Sequence, residues 1–97
     1  MPYRPGDVVI VPFPYSDQLA EKRRPGVVIS AAKLEREHRI VWVSMITSTT
    51  ARWTGDVQIT DLPSAGLAVK CAVRPAKVAT IDPARIVRKS GAMSARD

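Results

Sequence analysis

Lys22-Arg23-Arg24-Pro25-Gly26-Val27-Val28-Ile29-Ser30 sets three cations against an apolar, β-branched run, with a proline and a glycine between them. The run reads as a buried strand over Gly26 to Ser30. Arg24 precedes a proline, which favours an extended backbone for it. Pro25 cannot donate to a ladder and so fits the first residue of a strand. A guanidinium held at a rigid strand end offers a planar fork of donors suited to phosphate. A flexible surface arginine would lose more entropy in the same task. The same residues also describe a solvated charge run on a loop, and the stretch alone does not choose.

Outward from this stretch the chain is a succession of short apolar segments separated by turns. Val8-Val9-Ile10-Val11 follows the turn Pro5-Gly6-Asp7 and reads as a strand ended by Pro12-Phe13-Pro14. Residues 15–24 form a polar loop, and Ala31 to His38 suits one helical turn or a long hairpin arm. Arg39 to Ile46 is the strongest strand, β-branched and aromatic, with Trp42 in the core. Thr47 to Asp56 is a loop rich in hydroxyls. Val57 to Thr60 alternates like a half-buried strand, and Asp61 to Leu67 reads as a turn. Ala68 to Val73 and Lys77 to Ile81 read as two strands, and Asp82-Pro83 as a helix start or turn. Ile86 to Lys89 is extended. Many short strands without a long amphipathic helix predict a mainly β fold, a small closed barrel or sandwich.

The 97 residues make a single domain, and at 45% hydrophobic content the core is shallow, which a homodimer would relieve. A net charge of +6 and a pI near 10.1 favour a polyanionic partner: nucleic acid, an acidic protein or a membrane surface. One cysteine, Cys71, excludes an intrachain disulfide and a cysteine-based zinc site. One histidine, His38, excludes a multi-histidine metal site. No apolar run approaches the ~18–20 residues that span a bilayer, and no signal-peptide core follows Met1, so the expectation is a cytoplasmic protein. Ser94-Ala95-Arg96-Asp97 matches a pattern that opens helices, or is a polar end.

Three blocks carry a resemblance: Gly6-Asp7-Val8-Val9-Ile10-Val11-Pro12-Phe13-Pro14, Arg24-Pro25-Gly26-Val27-Val28-Ile29-Ser30 and Met45-Ile46-Thr47-Ser48. With the later Ala68 to Pro75 and Thr80-Ile81-Asp82 segments, the chain resembles the PemK/MazF family of toxin–antitoxin toxins over roughly residues 6 to 91. The resemblance implies a small SH3-like β-barrel with short helical insertions, assembled as a homodimer. It implies a metal-independent endoribonuclease without cofactor, cutting single-stranded RNA, messenger RNA foremost, to 2′,3′-cyclic phosphate and 5′-hydroxyl ends. A cognate acidic antitoxin would block the RNA site. Members usually continue past the region of Gly91-Ala92-Met93-Ser94 into a C-terminal helix, so the resemblance also implies that this helix is truncated here.

Two catalytic positions carry over, Arg24 from the Arg-Pro block and Thr47 from the Ile-Thr-Ser block. When a ribose 2′-hydroxyl attacks the neighbouring phosphorus, charge builds on the non-bridging oxygens, and a fixed guanidinium stabilises that charge. A threonine hydroxyl can donate to a phosphate oxygen and hold the in-line geometry. Lys22 and Arg23 suit backbone phosphates. Ser48 and Arg52 flank the site as RNA-binding candidates, and Trp53 can stack on a base or fold onto the barrel. Asp17 and Glu21 are auxiliary candidates or solvated loop charges. His38 lies among charged residues, Cys71 reads as a small buried hydrophobe, and Arg74 lines either the RNA groove or a dimer interface. Two other functions use the same barrel: a non-enzymatic toxin of the gyrase-poison kind, and a truncated RNA-binding form without activity.

Overall fold

The computed structural model describes residues 2–13, 22–48 and 53–94. Among them six strands form one antiparallel sheet curled into a half-barrel: β1 (Asp7–Phe13), β2 (Lys22–Val28), β3 (Val41–Thr47), β4 (Val57–Gln58), β5 (Ala72–Ile81) and β6 (Arg88–Ala92). Their order is β4-β5-β3-β2-β1-β6. Helix α1 (Ala32–His38) links β2 to β3, α2 (Leu62–Ala65) links β4 to β5, and a single 3-10 turn (Pro83–Arg85) precedes β6. The mainly β expectation holds.

The continuous apolar runs have a simple cause. Neighbouring residues of a strand point to opposite faces, and this sheet is buried on both. Val9, Val11, Val28, Val41, Val43, Ala79 and Ile81 form one cluster. Val8, Val27, Ile46, Ile59, Ala65, Cys71 and Val73 form the other. Cys71 is buried, as its reading as a small hydrophobe requires.

Several expected boundaries move. The second strand begins at Lys22 rather than Gly26, so Arg23, Arg24 and Pro25 lie inside it. The first runs through Pro12 to Phe13 instead of stopping before the prolines. Both corrections share one reason. The β2–β3 pairing begins at Gly26 opposite Met45, and the β1–β6 pairing is spent at Ile10 opposite Arg88. Beyond those points β1 and β2 pair only with each other, so each proline has a side without a ladder partner to donate to. Of the strand expected over 68–73 only Ala72 and Val73 are strand, and they run on without a break into the one expected over 77–81 as β5; Pro75 sits where its register with β3 shifts between Ser44 and Met45. The fourth strand shrinks to Val57–Gln58.

The stretch Asp61 to Leu67, expected as a turn, holds the short helix α2. The Asp61 carboxylate accepts from the Ser64 N–H at 3.2 Å, Pro63 lies in the first turn, and Gly66 closes the helix at φ 74°. All three signals stand in the sequence. This helix packs on β6 so closely that a methyl group on Gly91 or Gly66 would overlap backbone of the opposite element. Ser90 Oγ ties the two together, donating to the Ala65 carbonyl at 3.0 Å.

Trp42 is not in the core: it is 44% exposed. It stands across from Ile29 and Thr80, with the Ile29 N–H bonded to the Trp42 carbonyl at 2.9 Å, and Ile29 is exposed beside it. Helix α1, which links β2 to β3, buries none of its own residues.

Candidate functional site

β2 and β3 part company at Gly26 and Met45. Two residues further along the same register line stand Arg24 and Thr47. Arg24 is tied to β1, opposite Val11, while Thr47 is tied to β5, opposite Ala72. The two side chains thus emerge on either side of a fork in the sheet. Pleat alternation puts them on one face, because Arg24 shares the side of Val11 and Thr47 the side of Met45, and both neighbours belong to one cluster. Arg24 is half-buried and Thr47 buried, so both are held by strands rather than by loose chain.

Arg74 joins them on that face, directly opposite Met45. Its guanidinium is buried and forked onto Asp56, with Nε donating to Oδ1 at 3.2 Å and Nη2 to Oδ2 at 3.0 Å. Ser44, also buried, fixes the Arg74 backbone by donating from Oγ to its carbonyl at 2.9 Å. Asp56 also accepts the Trp53 N–H at 2.9 Å and donates its own N–H to the Trp53 carbonyl at 3.0 Å, closing a tight turn through Gly55 at φ 94°. The turn lays Trp53 against the Arg74 guanidinium, whose carbon lies 4.2 Å from the ring centroid. Lys77 Nζ approaches the same ring at 5.2 Å.

Across the strands the order is therefore Trp53 with Arg74, then Thr47, then Arg24. Arg23 is exposed next to Arg24 in β2, and Ser48 is exposed just past the end of β3. Lys22 opens β2 opposite Phe13. Asp17, Glu21 and Arg52 lie outside the described residues, as does the helix-like pattern over 95–97. His38 is exposed at the end of α1, a different element from the fork. Among the described residues no three His, Cys, Asp or Glu side chains cluster to hold a metal, and no helix is long and apolar enough to cross a membrane.

Sequence reasoning missed the Asp56–Arg74 pair. The two lie 18 positions apart, and no local pattern links them; only the β4–β5 pairing brings them together.

Fold and fork together define a small, curled, mainly β half-barrel that carries a cation and a hydroxyl where two strands part. The model of the PemK-like, MazF-like toxins of type II toxin–antitoxin systems matches residues 4–97, and the chain belongs to that family. No curated protein matches it significantly.

Proposed function

We propose that this toxin acts as a metal-independent endoribonuclease on single-stranded RNA, with Arg24 and Thr47 as its catalytic residues. The observation that supports the reading is the fork: a guanidinium and a hydroxyl on one register line, each held by a different partner strand.

The chemistry fits that geometry. A phosphodiester lying across the fork meets Arg24 on one side and Thr47 on the other. The 2′-oxygen attacks phosphorus, losing its proton, and the 5′-oxygen departs and gains one, leaving a 2′,3′-cyclic phosphate and a 5′-hydroxyl. Arg24 faces the charge that grows on the non-bridging oxygens, and Thr47 donates to one of them and fixes the line of attack. Lys22 and Arg23 take flanking phosphates, Ser48, Arg52 and Trp53 line the path of the strand, and Asp17 or Glu21 assists proton transfer.

Two partners complete the reading. A type II toxin has an antitoxin, and an acidic segment that folds across the basic fork would exclude RNA. A second copy of the chain would cover the open apolar groove of about 480 Å³ between Pro5, Val27, Ile29, Val57, Val73 and Met93.

Digestion of mixed RNA in EDTA, with product ends read by mass spectrometry, tests the activity. Cyclic phosphate and 5′-hydroxyl ends are expected. Folded protein that leaves all RNAs intact would favour a toxin acting through protein contacts.

A further inference from the structure

We propose that Arg74 and Asp56 form a positioning device that holds Trp53 as a stacking platform for the base beside the cut phosphate, an inference that rests on the ribonuclease reading. The Arg74 and Asp56 side chains are only 6% and 3% exposed, yet Trp53, which they hold, is 45% exposed. A buried, doubly hydrogen-bonded ion pair is an expensive way to anchor a surface turn. Here it fixes a large, part-exposed aromatic ring, with Arg74 and Lys77 against it and its backbone clamped at both N–H and carbonyl.

Such a ring has lost its rotational freedom before any ligand arrives, so a base stacking on it loses less entropy in binding. Every base has a π-face, which makes aromatic stacking the general means of holding a single strand. The placement suits that use. Arg74 lies on the same face as Thr47 and Arg24, on the strand beyond β3 from Arg24. A strand whose phosphate occupies the fork therefore carries a neighbouring base toward Trp53. Arg74 touches the ring rather than the RNA, so it acts through Trp53.

The test uses a single-stranded RNA oligonucleotide containing a bond the wild type cuts, with each base in turn replaced by an abasic ribose. Removing one base next to the cut should lower wild-type kcat/KM by about 5- to 150-fold, the range for loss of one aromatic stack. In Trp53→Ala that position should become insensitive while the other positions keep their profile. Arg74→Gln with Asp56→Asn keeps the turn's acceptor and leaves no buried charge unpaired. It should blunt the same position, chiefly through KM. Arg74→Lys, which restores the cation without the fork, should recover part of the sensitivity. A Trp53→Ala protein as sensitive as wild type, or a double variant that slows intact and abasic RNAs equally, would reduce Trp53 and Arg74 to structural roles and overturn the proposal. Absence of cleavage by the wild type would instead overturn the ribonuclease reading, and this proposal with it.

Discussion

Arg24 shows how much one residue's position depends on its neighbours. The Arg-Pro pair marks an extended arginine in the sequence, and the fold keeps it extended, but inside a strand rather than at its mouth. Removing its guanidinium should cost catalysis and little stability. Arg24→Ala is expected to lower kcat by about 10²- to 10³-fold, the scale for losing one oxyanion donor, with an unchanged melting curve by circular dichroism. Arg74 should behave in the opposite way. Arg74→Ala leaves Asp56 buried without its guanidinium and should destabilise the fold by about 3–5 kcal/mol, measurable by urea unfolding. These two arginines both precede a proline and look alike in the sequence. Burial and a carboxylate partner separate them, and both are tertiary facts.

At the scale of elements, apolar runs and turn residues made the strands legible, but their ends were governed by which neighbour each strand had. Pro12 reads as a strand end, Pro25 as a strand's first residue and Pro75 as part of a break between two strands, yet all three lie within strands, where a ladder is one-sided or shifts register. Trp42 reads as core because its strand is the most apolar and β-branched, yet its side chain is part of the exposed surface beside Ile29. Helix α2 was legible and misread: Asp61, Pro63 and Gly66 are ordinary helix start and stop residues. Its docking onto β6 leaves no room for a methyl group at Gly91. Gly91→Ala should cost about 1–3 kcal/mol by overpacking, seen as a drop in melting temperature of roughly 4–8 °C per kcal/mol for a domain of this size.

For the whole molecule, the excess of 15 basic over 9 acidic residues acts on association rather than on fold. If Lys22, Arg23 and Arg24 each neutralise a phosphate, the log–log salt slope of RNA binding should be about −2, at roughly 0.7 per contact for a single strand. Replacing Lys22 and Arg23 together should flatten it by more than half, by fluorescence anisotropy over a salt series. The apolar groove beside Ile29 and Val57 gives a second expectation at this scale. Light scattering should show a mass that rises to twice the monomer's with concentration, and Ile29→Glu with Val57→Glu should hold it at one chain.

Arg24 and Thr47 are proposed to act on one phosphate from opposite sides of the fork. The most direct measurement is a double-mutant cycle in single-turnover RNA cleavage, using Arg24→Ala, Thr47→Ala and the pair. Groups acting as one unit are strongly coupled, so the expected double variant is scarcely slower than the slower single variant. Losses that simply multiply, or cleavage that survives in folded Arg24→Ala, would contradict the claim.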